Sequence, residues 1–490
     1  MDGCRKMELA FSPKVAGNAP AWLLLGICGA GMRSFAQHLT AVGIPVIGSD
    51  HDRAGLQRFS HTAPPNITLL DWTVLQRGLT PQISTAVHSV AVDAANPELA
   101  ALRRRGLRVL SLPQALAEQF SGTPQICVAG THGKSTTTGM LWWILHHSGH
   151  PVARYVGAEF QSGDSLPAYQ PILRPFHAAV LEACEYRDSF LSLQPAECVL
   201  TGIEDDHFDW FTEPSAAARS FGRFLGSISA GGSLVYSADC EASRRLAADF
   251  VGGPMISWSA SGRVADWTLV SRPCRSGGAV AAGLLQPSGG GSPIELQLRV
   301  PGEHNLKNAA AAVLAAQQRG IDPRQSAEIL GTFPGMRRRF EHRGTWRGVE
   351  LIDDYAHHPT AVAVTLRTVR QVYPGRRILV VFEPHQLSRT RRMLPEFASA
   401  LELADEVLVV PVLAARETAP EAVRLELSRE LVQRICRTGG CAKLVGDLDQ
   451  VPGKLEDAVH SGDILVTMGA GRTNLIHDEI HRKIHRDSAA

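Results

Sequence analysis

Apolar residues follow two rhythms along this chain. Trp22–Ile27 is a continuous apolar run, the pattern of a buried strand. Met32, Phe35, Ala36, Leu39 and Val42 then recur at helical spacing until Gly43 stops the helix. Pro45–Asp50 reads as a second strand ending in an acid, and Thr85–Asp93 as a third. Asn96-Pro97-Glu98 opens a helix. Val109–Leu112 and a helix from Pro113 close this unit, for which a parallel βαβ sheet is expected. The alternation restarts with a strand at Gln125–Ala129, a Gly/Thr/Ser loop and a helix through about His147. Strands at Ala178–Ala183 and Glu197–Ile203 follow, then helices near Glu213–Leu225 and Cys240–Phe250. Residues 263–300 change character. Short alternating strands such as Glu295–Val300 flank Gly/Ser turns at 276–278 and 288–292, which is antiparallel hairpin material. An alanine-rich helix from about Asn305 to Arg319 ends at Gly320. Gly331, Pro334, Gly335 and three arginines then break the pattern between Leu330 and Arg339, where a hinge is expected. Beyond it, Val349–Asp353, Arg377–Phe382, Glu406–Val410 and Asp463–Met468 are buried strands separated by helices.

Length and charge narrow this α/β reading. The chain has 490 residues, and at about 150 per domain that is roughly three domains. Hydrophobic residues at 44% and charged residues at 20% exclude a disordered chain. Lys+Arg 49 against Asp+Glu 48 leaves no whole-molecule field for nucleic acid or an acidic membrane, so any anion site must be local. Nine cysteines without a CxxC pair make no disulfide scaffold and read as reduced thiols of a cytoplasmic protein. No apolar run reaches the roughly 18 residues of a membrane helix, so no membrane insertion is expected. Lys14 followed by Ala21–Cys28 has the outline of a short signal peptide. That run continues into Gly29-Ala30-Gly31 and an amphipathic helix, so a strand opening a Rossmann-like unit explains it better.

Four clusters carry candidate chemistry. Gly130-Thr131-His132-Gly133-Lys134-Ser135-Thr136 follows an apolar strand and opens a helix. Backbone N–H groups of such a loop, with the helix N-terminus, cradle phosphates; Lys134 would reach the β/γ-phosphates and Ser135 would hold Mg2+. The loop is shorter than GxxxxGK[ST], and the plain alternative is a glycine turn with a solvated lysine. Gly26 to Gly31, with Asp50 ending the next strand, points to a nucleotide-type ligand. Cys28 replaces the middle glycine of GxGxxG, which tells against NAD, and a bare tight turn is the alternative. Glu182 and Glu204-Asp205-Asp206-His207 end or follow strands, where acids and a histidine suit a metal near the phosphate loop. The last third holds Arg337-Arg338-Arg339, Asp353-Asp354-Tyr355-Ala356-His357-His358-Pro359 and Phe382 to Arg389. These suit anions and carboxylates better than any zinc spacing.

In this order, and with Gly302-Glu303-His304-Asn305-Leu306-Lys307-Asn308, the motifs resemble the Mur ligase family over nearly the whole chain, from about Trp22 to about Ile484. The resemblance implies a Rossmann-like UDP-sugar domain (1–121), a central P-loop ATPase-type mixed-sheet domain (122–335) and a Rossmann-like C-terminal domain (336–490) that binds the amino acid and closes. It implies ATP and Mg2+ as cofactors and UDP-N-acetylmuramate and an amino acid, L-alanine, as substrates, in peptidoglycan precursor synthesis. Nucleotide contacts fall on residues 130–136, Asn305, Asn308, Arg338 and Asp353, and the metal on Ser135, Glu182 and His207. The substrates fall on Gly29, Ala30, Gly31, Asp50, Asn96, Tyr355, His357, His385, Gln386 and Arg389. Lys134, His207, His357 and Arg389 carry catalysis. The chain departs from the family pattern at Cys28, at Cys184-Glu185-Tyr186-Arg187, at Ala356, at Thr360-Ala361 and at Gln386, where the family has an arginine. A sibling ligase adding another amino acid or a tripeptide, an NAD-binding oxidoreductase and a non-catalytic nucleotide-binding paralogue stay open, as do monomer and homodimer.

Overall fold

The computed structural model describes residues 20–489 apart from 65, 73–82, 94, 162–175, 214 and 274–279. Lys14 and the turn expected at 276–278 lie outside the described residues. Among the described residues the strands make three sheets. β1 (Ala21–Leu25), β2 (Val46–Ser49), β3 (Ile67–Leu69), β4 (Ile83–His88) and β5 (Arg108–Ser111) are all parallel, in the order 3-2-1-4-5. Strand order reverses between β1 and β4, the crevice where such sheets bind ligands, and the Gly26–Gly31 turn follows β1 there. β4 stops at His88 rather than Asp93. Ser89 N–H still reaches the Leu25 carbonyl, but Val92 N–H turns back onto Ser89.

The central sheet contains β6 (Gln125–Ala129), β7 (Val152–Tyr155), β8 (Ala178–Glu182), β9 (Pro195–Leu200), β10 (Ser233–Ser237), β11 (Met255–Ser259), β12 (Trp267–Arg272), β13 (Ala281–Pro287) and β14 (Ile294–Leu298). Its order is 14-13-12-11-10-9-6-8-7, with β12 to β14 antiparallel as the hairpin pattern predicts and the rest parallel. β7, β10 and β11 escape the sequence reading because polar residues (Arg154, Ser233, Ser257) interrupt short runs. The helix expected from Glu213 begins at Ala216, after a left-handed turn at Ser215. Helix Lys134–His147 is buried along almost its whole length and packs on the alanine-rich helix Glu303–Gln318. Small side chains let the two backbones approach closely under the sheet.

The third sheet contains β15 (Glu341–Trp346), β16 (Val349–Asp354), β17 (Ile378–Phe382), β18 (Glu406–Val409), β19 (Ala442–Leu444) and β20 (Ile464–Met468). Its order is 15-16-20-17-18-19, with β15 antiparallel. The loops after β16, β17 and β20 therefore leave one edge side by side.

Two kinds of joint connect these bodies. Leu24, Phe35 and Phe120 belong to the same apolar core as Cys127, Leu181, Phe190 and Phe221, so the first sheet shares buried surface with the central one. The third sheet has cores of its own. Along the chain, contacts change hands between two arginines. Arg337 N–H donates to the Glu159 carbonyl of the central body (2.7 Å), whereas the Arg338 guanidinium donates to the Gly469 (2.6 Å) and Gly471 (3.0 Å) carbonyls of the third. Arg338, at φ +59°, stands at this junction, within the span where a hinge is expected.

Candidate active site

The phosphate loop is shaped by what it must avoid. Gly130 and Gly133 have φ of +134° and +80°; a Cβ on Gly130 would strike Thr201, and one on Gly133 would strike the Asn308 amide. Only glycine fits both constraints. Thr131 N–H donates to Gly202 O at 2.8 Å, and Thr201 Oγ1 donates to His132 O at 2.6 Å, so β9 braces the loop. Asn308 Oδ1 accepts from Thr137 Oγ1 (3.2 Å) and its Nδ2 donates to Asn305 Oδ1; Asn305 Nδ2 donates to Pro301 O. Of the two asparagines expected on the nucleotide, Asn308 ties helix Glu303–Gln318 to helix Lys134–His147 and Asn305 braces Asn308, with their amides committed internally. Thr136 is buried in the first turn of the loop's helix.

Lys134 lies back over its own loop, donating to Gly130 O (2.5 Å) and Thr131 O (3.1 Å), and pairs with Glu185 at 2.9 Å. Burial works against both charges, yet each outweighs it for the other. The ammonium is raised and the Glu185 carboxyl lowered from their ordinary values. Ser135 Oγ donates to Glu182 Oε1 at 2.8 Å, and Glu182 Oε2 accepts from Gly157 N–H at 2.6 Å. His207, at φ +54°, sits with Nε2 3.6 Å from Glu185 and has a buried, unpartnered Nδ1. The three residues expected on a metal therefore separate into Ser135 with Glu182, and His207 with Glu185. A serine hydroxyl and a carboxylate are the hard oxygen donors Mg2+ prefers.

The first sheet's turn reaches the same place. Helix Ala30–Ala41 starts beside the central sheet: a Cβ on Gly31 would lie 2.7 Å from Tyr155 Oη, and Val156 N–H donates to Ser34 Oγ at 3.4 Å. Gly29 and Ala30 form the free N-terminal end of that helix. Asp50 and Asn96 are otherwise occupied. Asp50 accepts from Cys28 N–H (2.9 Å) and Asp52 N–H (3.0 Å), which leaves it bracing the turn rather than free for a ribose. Asn96 caps helix Pro97–Arg104 by accepting from Glu98 N–H at 2.8 Å.

From the third body, Arg389 is almost fully buried and donates through Nε (2.8 Å) and Nη2 (2.5 Å) to Asp206 of the central body. Burial alone would raise Asp206; the guanidinium beside it holds it far below the usual carboxylate range. The arginine expected on a substrate carboxylate thus already grips a protein carboxylate. Its Nη1 donates to His385 Nδ1 (3.1 Å), and burial with this neighbouring cation lowers His385 to about 3. His357 donates from Nδ1 to Tyr355 O (2.8 Å) and stands edge-on to His385; burial and Arg389 push it well below its ordinary value. The Tyr355 ring is flanked by Arg338 at 5.1 Å and Arg339 at 4.8 Å. Arg339 also donates to Ser135 Oγ at 3.3 Å, and Thr360 Oγ1 to Glu204 Oε2 at 2.8 Å. Gln386 is not at the solvent: it is 1% exposed, with an unpartnered Nε2. Asp353 is wholly buried behind Arg338 (3.3 Å) and Thr467 (2.9 Å), and burial raises it to about 6. It holds the hinge arginine instead of facing a ligand. Glu185 was missed from sequence, three residues beyond Glu182, and Asp206 was read within a metal-type cluster rather than as the partner of Arg389; nothing in spacing singles out either role.

A braced phosphate loop, an oxygen pair at its helix start and a third body clamped over both define a multidomain nucleotide-dependent enzyme. Three sequence profiles of one family match the chain in succession: Mur ligase family, catalytic domain (24–123), Mur ligase middle domain (128–316) and Mur ligase, glutamate ligase domain (338–471). The UDP-N-acetylmuramate–L-alanine ligase of Kineococcus radiotolerans is 39% identical, covering 93% of this chain and 94% of its own. Among solved structures, the UDP-N-acetylmuramate–alanine ligase of Thermotoga maritima has the same fold, with TM-score 0.76 at 22% identity, covering 95% of this chain and 99% of that one. A murein peptide ligase of Psychrobacter arcticus has TM-score 0.69 at 25% identity, covering 95% and 98%. The chain belongs to the Mur ligase family.

Proposed function

We propose that this protein joins L-alanine to the carboxylate of UDP-N-acetylmuramate at the expense of ATP, in the cytoplasm, for peptidoglycan precursor synthesis. The observation that carries the reading is the meeting of three strand edges at one place. The Gly26–Gly31 turn abuts Tyr155, the phosphate loop and Glu182 lie next to it, and the third body's Arg339 and Arg389 reach Ser135 and Asp206. Relatives named for this reaction cover nearly the whole chain.

The sugar carboxylate attacks the γ-phosphorus and ADP leaves. The alanine amine attacks the resulting acyl phosphate, and phosphate leaves. Most of the chain's work is charge neutralisation and water exclusion. Lys134 exchanges Glu185 for the phosphates, and Ser135 and Glu182, with His207 nearby, would hold Mg2+. That ion supplies further neutralisation of the phosphate oxygens. His357, neutral and tethered through Nδ1, would orient the amine by accepting a hydrogen bond at Nε2. The domain roles follow: sugar on 1–121, ATP on 122–335, alanine and closure on 336–490, as monomer or homodimer. Among the described residues no helix is long and apolar enough to cross a membrane.

Phosphate release tests the reading. UDP-N-acetylmuramate, ATP and L-alanine together should release ADP and phosphate in equal amounts with one amide formed, while omission of any one stops release. Preference for a tripeptide would move the protein to a sibling ligase, and no release with any amine would leave a nucleotide-binding paralogue.

A further inference from the structure

One group of side chains has the chemistry of a metal centre and is made of residues other than the Ser135–Glu182 oxygen pair. His132 from the phosphate loop, Glu204 after β9, and His358 at the start of helix Pro359–Val372 each bring a ligand atom within 4.8 Å of the others. His132 Nε2 lies 3.3 Å and His358 Nδ1 4.0 Å from the same oxygen, Glu204 Oε2. Ligands held at about 2.0–2.2 Å around a tetrahedral ion sit about 3.3–3.5 Å apart. The central body's pair is therefore already spaced as ligands, and the third needs an interdomain shift on the order of 1 Å. His358 is buried (its side chain is 3% exposed), its Nε2 has no hydrogen-bond partner, and its Nδ1, the atom facing Glu204, accepts from Thr360 N–H only at a long 3.3 Å, a bond that an ion would replace. Burial and the neighbouring His132 lower it to about 4, keeping the neutral form that metals bind. Two imidazoles and one carboxylate select a borderline ion over Mg2+.

We propose that His132, Glu204 and His358 form a second cation site, for a borderline divalent ion of the zinc class, that spans the central and C-terminal bodies and holds them closed when filled. Two ligands belong to one body and one to the other, so the full set exists only on closure, and the ion favours that state by its differential affinity. A filled site slows reopening and so product release.

Co2+ is the probe, added to the full chain with Mg2+ in excess to occupy the oxygen site. One Co2+ per chain should give visible ligand-field bands, and the radius of gyration from small-angle scattering should fall as it binds. His358→Asn keeps an acceptor to cap Thr360 N–H but removes the imidazole. It should weaken Co2+ at least about tenfold, since even outer-shell losses cost that much, and should abolish the compaction. Glu204→Gln, which keeps an acceptor for Thr360 Oγ1, serves as the second variant if the first fails to fold. Unchanged Co2+ affinity in the folded variant, or binding without compaction in the wild type, would overturn the proposal. Neither readout needs turnover, so the outcome is separate from that of the ligase assay.

Discussion

Lys134 and Glu185 illustrate a residue pair whose two roles can be separated. Removing one partner of a buried ion pair leaves an uncompensated charge and costs about 3–5 kcal/mol. Losing a charge donor to the transition state costs roughly 10²–10³ in rate. Lys134→Ala is therefore expected to lose both thermal stability and turnover. Lys134→Ala combined with Glu185→Gln should regain most of the melting temperature and none of the turnover. Recovery of turnover in the double variant would remove Lys134 from the phosphates. At the neighbouring oxygen pair, Glu182→Gln should raise the Mg2+ needed for half-maximal activity. Adding Ser135→Ala should raise it by less than the product of the single effects, because both act on one ion. Titration of initial rates against Mg2+ checks this, and independent effects would place the two residues on different sites.

The elements that were legible share a physical cause. Gln125–Ala129 and its helix to His147 were read to the residue because a wholly apolar strand and a glycine loop leave one solution. β10 and β11 were invisible because polar residues such as Ser233 and Ser257 break their short apolar runs. At the site, backbone-defined parts such as the phosphate loop were readable. Side-chain pairings across elements were not: the Arg389–Asp206 contact joins residues 183 positions apart, and no local pattern encodes it. That contact, buried on both sides, links the central and third bodies. Asp206→Asn leaves Arg389 buried without its carboxylate on closure, so the open form should gain. KM for L-alanine should rise by about 30-fold or more while ATP affinity stays near wild type, the lower end of losses of about 2–5 kcal/mol for halved buried charge pairs. Small-angle scattering should show a larger radius of gyration, and an unchanged radius would mean that this pair does not govern closure.

Among the described residues, burial lowers eight histidines, five of them strongly. His304 and His358 lie at about 4, His385 and His477 at about 3, and His357 well below its ordinary value. Unfolded imidazoles titrate near about 6.5. Between that pH and about 4, the unfolded chain takes up protons the folded chain refuses. Stability is then present above the unfolded value and lost as the pH falls. Asp353, raised to about 6, acts in the opposite direction over part of this range, as do Asp354, Glu197 and Glu383, which burial also raises. At pH 5 each strongly lowered imidazole contributes a loss on the order of 2 kcal/mol before other groups offset it. The urea midpoint should drop steeply from pH 7.5 to pH 5, and a flat profile would show that these rings are solvated.

The unequal joints also bear on inheritance. A crossover between the codons for Arg337 and Arg338 parts two bodies that have separate apolar cores and meet through ion pairs and hydrogen bonds. A crossover near residue 122 would cut the single core that holds Phe35 and Phe120 with Leu181 and Phe221, and both halves would inherit mismatched packing. The third of the chain proposed to take the amine is thus the exchangeable module, and a chimera joined at Arg337 is expected to carry a new amine preference on an intact nucleotide engine.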